Sequence, residues 1–388
     1  MPVERTCTVA PTTHSTGSLD APAAVALLPD RRRLASRVAL VALVLAAFAL
    51  AVAALPGLGE VRDRLAGASL HWLALVLVLQ IASCMSFVVA FRAIFCRRMP
   101  WRLSYDVGIA VQGTNVLLPS GGAGGLAVAA WALTRAGIAS EVVVRRGVAM
   151  WLLTSAVNFA AAVLAGGLLA VGILAGGGSL ALTAGPAIGA ALAIAGVLAL
   201  PRALSSARAT RPRAGRAGRV IAWLRSALHG GIRDAIALGR SRNPAVVGGS
   251  IGFMVFDVAA LGAAFVAIGQ LPPLGALLIA YVIGQLGGLI PVPGGVGGAD
   301  GGLIAALVLY GTPLSSAAAA VLAFRAFQLG VPALLGGLAL ARLPGVVERA
   351  PDLGEPAAGA PRASAGVLRH GPCRSADVGA SRAGRVLA

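Results

Sequence analysis

The chain contains no lysine; all 32 of its basic residues are arginine. Charge of either sign is scarce, at 12% of residues, about half the share usual in a soluble domain. Acidic residues number 14, so the formal net charge is +18. The four cysteines (Cys7, Cys84, Cys96 and Cys373) form no close pair and no metal-ligand spacing, which argues against a disulfide framework. His14, His71, His229 and His370 are scattered, so no metal site is expected. No nucleotide-binding loop is present, so neither a cofactor nor ATP drive by this chain is implied. An enzyme should show an acidic pair or metal cluster at one face, and the sequence offers none.

What the chain has in excess is apolar surface. Hydrophobic residues make up 58% of it, and residues 147–200 and 258–299 carry no charge. A bilayer span needs about 20 mainly apolar residues, so each run can hold at least one. The chain therefore reads as an all-α polytopic membrane protein. Full spans are expected at 37–55, 70–95, 147–174, 181–200, 245–270 and 315–341. Residues 1–36 and 343–388 are rich in small and polar residues without an apolar period and read as disordered tails. The run after Arg31–Arg33 resembles a signal peptide, but about thirty residues precede it, so it reads as an uncleaved first span.

Arginine placement assigns sidedness. Clusters lie before the first span (Arg31, Arg32, Arg33, Arg37), after the second (Arg92, Arg97, Arg98, Arg102), before the third (Arg135, Arg145, Arg146) and after the last (Arg342). Ten more, Arg202 to Arg242, fill the loop 201–244 against one acid, Asp234. The positive-inside rule makes these sides cytoplasmic, with both termini cytoplasmic and the protein in the cytoplasmic membrane. The same rule accounts for the charge without a nucleic-acid partner. The loop 201–244 reads as a solvated, positive-inside segment. The alternative is a weakly amphipathic interfacial element over 220–238, drawn to anionic lipid.

Two odd segments must then leave and return on one side. The first contains Leu117-Leu118-Pro119-Ser120-Gly121-Gly122-Ala123-Gly124-Gly125, the second Ile290-Pro291-Val292-Pro293-Gly294-Gly295-Val296-Gly297-Gly298. At an offset of 174 (287 − 113), Gly113 matches Gly287, Pro119 matches Pro293, Gly121 matches Gly295, and Gly137 matches Gly311. The pattern predicts an inverted repeat of span, re-entrant hairpin and span. Interrupted helices at matching positions point to a transporter's binding site. Helix N-termini after the breaks would offer N–H donors to a phosphate. The competing explanation is that the glycines let helices pack closely.

Asp257, Asp300 and Arg325 fall within predicted membrane segments, and Asp106 near an edge. Such charges face a partner or a cavity. Asp300 and Arg325 either form a structural ion pair, or Asp300 holds the Arg325 guanidinium toward a lipid phosphate. Asp257 is a packing contact or a cavity residue. Gln112, Asn115, Asn158, Gln285 and Gln328 are candidate cavity lining. The substrate-binding set is thus Asp300, Arg325, Asn115, Pro119, Gly121, Gly122, Pro293, Gly294, Gly295 and Gly297.

The run Pro291-Val292-Pro293-Gly294-Gly295-Val296-Gly297-Gly298-Ala299-Asp300, with Gly311-Thr312-Pro313 and Ala323-Phe324-Arg325, resembles the transmembrane region of lysylphosphatidylglycerol synthases and related flippase-like proteins. The resemblance covers roughly residues 35–342. Asp300 stands where the family usually has Glu, and Arg325 matches the family's arginine in the last long helix. Arg145-Arg146 resembles the family's charged pair before the next helix. The first half departs: where the family often has Pro-x-Arg-x-Gly-Glu, Pro119 is followed by Ser120-Gly121-Gly122, which implies a different substrate. The resemblance implies translocation of a polar or anionic lipid between leaflets, with membrane lipids, and a separate lipid-modifying enzyme, as partners. It also leaves open an accessory or catalytic part in lipid-linked glycosylation or lipid modification. A scaffold working through the basic loop is a third expectation.

Overall fold

A computed structural model describes residues 59–118, 122–174, 180–206, 216–287 and 298–353. Every regular element among them is a helix: α1 (Gly59–Ala66), α2 (Leu70–Phe95), α3 (Trp101–Leu117), α4 (Ala123–Arg135), α5 (Ser140–Ala170), α6 (Leu180–Ser206), α7 (Arg216–Arg240), α8 (Pro244–Ala267), α9 (Leu274–Gly287), α10 (Gly298–Leu309) and α11 (Leu314–Glu348). Five of these, α2, α5, α6, α8 and α11, are long and apolar enough to cross a membrane. The chain is a multi-pass membrane protein. The expected span at 37–55 lies outside the described residues.

Besides the eight-residue α1, four helices are too short to cross. At about 1.5 Å per residue, α3 with 17 residues reaches about 25 Å, and α4 with 13 about 20 Å. Helices α9 with 14 and α10 with 12 residues reach about 21 and 18 Å. The hydrocarbon core is about 30 Å thick. Each short pair packs leg against leg, α3 on α4 and α9 on α10, as two hairpins. The first leg stops at Leu117, just before Pro119, because a proline disfavours helix in the residue before it.

The repeat is visible in the helix boundaries. Helices α2 and α8 begin at Leu70 and Pro244, and α5 and α11 at Ser140 and Leu314, each 174 apart (244 − 70, 314 − 140). The hairpin legs α3 and α9, and α4 and α10, begin within a residue of that offset (274 − 101 and 298 − 123). Gly137 and Gly311, also one offset apart, both take left-handed backbone, φ 92° and 88°. Each closes its hairpin's second leg in the same way: the Ile138 and Thr312 amides donate five residues back, to Leu133 and Leu307. A left-handed residue with this bond is the usual helix stop, and glycine takes it without a Cβ clash.

Packing follows the same symmetry. Helices α2 and α8 lie side by side, α3 packs on α11, and its counterpart α9 packs on α5. Three crossing helices, α2, α5 and α6, separate the start of the first unit from the start of the second. An odd number of crossings puts the second unit upside down, so the repeat is inverted. Glycines set the close approaches. A Cβ at Gly249 of α8 would sit 2.7 Å from the Ala90 amide nitrogen of α2. One at Gly166 of α5 would sit 2.6 Å from the Thr183 carbonyl of α6.

Two cores result. One is built on α2, α3 and α11 around Phe91, Ile109 and Leu343, the other on α8, α9, α10 and α11 around Leu261, Phe265, Leu307 and Phe324. Helix α6 is peripheral, with Ile188 and Leu192 exposed on a surface suited to lipid chains.

The basic segment 201–244 differs from its expected form as a solvated loop. Helix α7 occupies Arg216–Arg240, and its Ile232 and Ala235 are buried against Ala149 and Leu152 of α5. Its apolar positions recur at helical spacing, so one face packs and the other carries arginine. Arg145 and Arg146, expected ahead of a span, lie inside α5, which starts at Ser140. Arg145 Nε donates to Asp234 of α7 at 2.6 Å, and Arg146 donates to the Phe95 carbonyl. These partners let the arginines extend the helix beyond the apolar run. Helix α11 likewise continues past the expected end of the last span, to Glu348.

Candidate functional site: a polar cavity between the hairpins

A cavity of about 470 Å³ lies where the two repeat units meet. Its walls come from α2, both hairpins, α5, α8 and α11. Phe87, Phe159 and Phe253 supply apolar surface, and Arg325 and Asp257 supply charge. All five expected polar lining residues are there: Gln112, Asn115, Asn158, Gln285 and Gln328. Amphipathic walls of this kind can take a polar group together with part of an apolar chain.

The charged part of the wall is one connected network. Arg325 Nε donates to Asp300 Oδ1, joining α11 to the first turn of α10. Arg325 Nη1 donates to Gln328 Oε1 at 2.7 Å, and Gln328 Nε2 donates to Asp257 Oδ2 at 2.8 Å. The Tyr281 hydroxyl donates to the same oxygen at 2.9 Å, and Gln80 Nε2 donates to Asp257 Oδ1 at 3.1 Å. Gln285 in turn donates to the Tyr281 hydroxyl at 2.6 Å. Helices α2, α8, α9, α10 and α11 are thereby tied through a single polar thread.

The contacts bear on two of the sequence's expectations. Asp300 and Arg325 pair directly, and Asp257 is both a packing contact and a cavity residue. A charge held at bilayer depth costs about 2.5–3.5 kcal/mol on insertion scales, and hydrogen bonding to the charged form offsets that cost. Asp257 has three neutral donors, and its side chain belongs to a residue only 2% exposed.

The starts of the second hairpin legs complete the site from both units. Gly122, at φ 91°, precedes α4 and lines the cavity, and Ala299 in the first turn of α10 does the same. Two helix N-termini therefore open on one space, each carrying a partial positive charge. Asn115 Oδ1 accepts from the Gly125 amide at 2.9 Å. That bond caps α4 from the opposite leg and ties the two legs together. Pro332 also lines the cavity. It has no N–H to donate to the Gln328 carbonyl one turn back, so the α11 ladder is open there.

Of the expected substrate-binding residues, the structure brings Asn115, Gly122 and Arg325 to the cavity and Asp300 onto Arg325. Pro119, Gly121, Pro293, Gly294, Gly295 and Gly297 lie outside the described residues. Sequence reasoning missed Gln80, Tyr281, Trp151, Thr154 and Ser155. Gln80 carried a usable signal, since it is a long polar side chain that follows an apolar run in the middle of α2. Trp151 and Thr154 carried another, as the first-unit counterparts of Arg325 and Gln328 (325 − 151 and 328 − 154 are both 174). The repeat is symmetric in backbone, yet among the described residues the charged side chains on the cavity wall, Asp257 and Arg325, both belong to the second unit.

A family model for the lysylphosphatidylglycerol synthase transmembrane region matches residues 38–336. The chain belongs to this family. A search of curated proteins returned no match. Family membership links the protein to membrane-lipid function, and the matched region contains both hairpins and Arg325.

Proposed function

We propose that this protein is a carrier that moves a polar or anionic lipid between the leaflets of the cytoplasmic membrane, without altering it chemically. The observation that carries this is the cavity walled by both hairpins of an inverted repeat, with Arg325 on its surface. Broken helices survive at membrane depth when the freed backbone is buried or lines a wet cavity. A phosphate at the cavity would meet the Arg325 guanidinium and the positive ends of α4 and α10. Asp300 and Gln328 hold that guanidinium in place, which reduces the ordering cost of binding. The apolar walls, Phe87 and Phe253 among them, suit the glycerol and upper chain of the same lipid.

Sidedness follows from arginine. With α7 and the ends of α2 and α11 on the cytoplasmic side, the first hairpin opens from the cytoplasm and the second from outside. Alternating access would then come from one unit moving against the other around the fixed site.

The test is purified protein in vesicles with a panel of head-group-labelled lipids, scored for leaflet exchange. Faster exchange of a phosphate-bearing lipid in protein-containing vesicles, lost in Arg325→Ala, is the expected result. Equal exchange with and without protein across the whole panel would overturn the proposal.

A further inference from the structure

The carrier mechanism above uses Arg325 and leaves Asp257 without a task. Three features of Asp257 point to one. Its carboxylate is buried, with both oxygens bonded to neutral donors from three different helices: Gln80 of α2, Tyr281 of α9 and Gln328 of α11. Among the described residues, the cluster Asp257, Asp300 and Arg325 holds two carboxylates against one guanidinium, one negative charge in excess within these three. Finally, Gln80 is 2% exposed, and its Oε1 is a buried acceptor with no hydrogen-bond partner. A buried orphan acceptor beside a carboxylate calls for an explanation.

We propose that Asp257 is a proton-binding site, alternating between carboxylate and carboxylic acid, with Gln80 as the amide that accommodates both states. In the charged state Gln80 Nε2 donates to Oδ1. On protonation, hydronium gives its proton to Oδ1 and leaves as water, and the cluster becomes neutral. The Gln80 amide then turns by half a rotation. Its Oε1 accepts the new O–H, and its Nε2 faces the cavity, which Gln80 also lines. The orphan acceptor of the charged state is the acceptor the acid needs. Gln328 is held differently: Arg325 occupies its Oε1, so its Nε2 stays on Asp257 in both states.

The groups around Asp257 are consistent with this site. From α2 come Gln80, Ser83 and the Cys84 thiol, from α9 the Tyr281 hydroxyl. From α11 comes Gln328, with Arg325 behind it and Asp300 of α10 beyond. Helix α5 has no ionisable side chain from residue 147 onward. The charged groups of α7 are not among those that touch Asp257 in the described residues.

Coupling to transport rests on the carrier function proposed above. A lipid phosphate entering beside Arg325 brings negative charge to a cluster that already has one in excess. Proton uptake at Asp257 offsets it, so lipid and proton would bind together.

Infrared difference spectroscopy on the purified full-length protein, between neutral and acidic buffer, tests the proton site directly. A carboxylic-acid carbonyl band should appear on acidification, vanish in Asp257→Asn and persist in Asp300→Asn. If Asp257→Asn does not fold, Asp257→Glu should displace the band. Absence of the band at every pH, or its survival unchanged in the Asp257 variants, would overturn the site. Coupling is read separately, in phosphatidylethanolamine and phosphatidylglycerol vesicles with a trace of head-group-labelled phosphatidylglycerol. Exchange should follow an imposed pH gradient in the wild type and ignore it in Asp257→Asn; a variant that still follows the gradient overturns coupling. An assigned band without lipid exchange in the wild type removes the carrier function and leaves the proton site standing.

Discussion

Gly113 of α3 and Gly336 of α11 meet backbone to backbone: a Cβ on Gly113 would lie 2.6 Å from the Gly336 Cα, and one on Gly336 would lie 2.4 Å from the Gly113 Cα. This contact seats the first hairpin on the last span of the opposite unit. Both atoms in each clash belong to rigid helix, so neither can give way. Overpacking costs about 1–3 kcal/mol in a soluble core, and more where backbone must move. Gly113→Leu or Gly336→Leu should lower the melting temperature in detergent and reduce the monodisperse fraction on size exclusion. Gly301→Ala, where a Cβ meets open space, should change neither.

Ser140 and Leu314 open corresponding helices of the two units, and both residues are exposed. In an inverted repeat they lie on opposite faces of the membrane. With Cys7, Cys84, Cys96 and Cys373 replaced, Ser140→Cys should react with an impermeant maleimide only from the cytoplasmic side. Leu314→Cys should react only from outside. Labelling of both from one side would contradict the inversion.

The Arg325–Asp300 pair is partly shielded, with side chains 15% and 16% exposed. Removing one partner of a buried pair strands the other, at up to about 3–5 kcal/mol. Arg325→Ala and Asp300→Ala should each abolish leaflet exchange. The swap Asp300→Arg with Arg325→Asp should recover the fold, measured by thermal stability, but not exchange, because the guanidinium then sits on α10. Recovery of full exchange by the swap would reduce the pair to a structural ion pair.

Arg145 and Asp234 join α5 to α7 at 2.6 Å with side chains 36% and 26% exposed. Solvent screens such a pair, so its contribution is about 0–1 kcal/mol. Asp234→Asn should leave melting temperature and exchange nearly unchanged. Gly231→Leu is a stronger perturbation, because its side chain would drive into Val148 and the Arg145 carbonyl. It should expose α7 to limited proteolysis while the α2–α8 core stays protected.

Much of the architecture could be read from the chain because membrane constraints act locally. A charge-free run must be a span, and paired Pro-Gly breaks must interrupt one. The offset of 174 found in scattered glycines reappears in the first residues of α2 and α8, and of α5 and α11. The candidate site was legible in part. Asp300 and Arg325 stand out because ionisable groups at bilayer depth need partners. Gln80 was missed although a long polar side chain inside an apolar span was a usable signal, and Tyr281 was missed because it is unremarkable alone. Their meaning comes from meeting Asp257 across α2, α8 and α9, and no local pattern announces that meeting. Helix α7 was read first as loop because its arginine content outweighed a weak amphipathic pattern over 220–238, and only the packing on α5 shows what that apolar face covers.

By itself the sequence determined where the backbone could cross a bilayer, where it had to break, and which side its arginines would prefer. These follow from the transfer cost of single residues and from hydrogen bonds made within one segment. The tertiary structure alone decided that both hairpins line one cavity, that the charged side chains on its wall among the described residues come from the second unit, and that one carboxylate is tied to three other helices. Those outcomes depend on which helices touch, set by backbone approach at glycines far apart in the chain, such as Gly113 and Gly336.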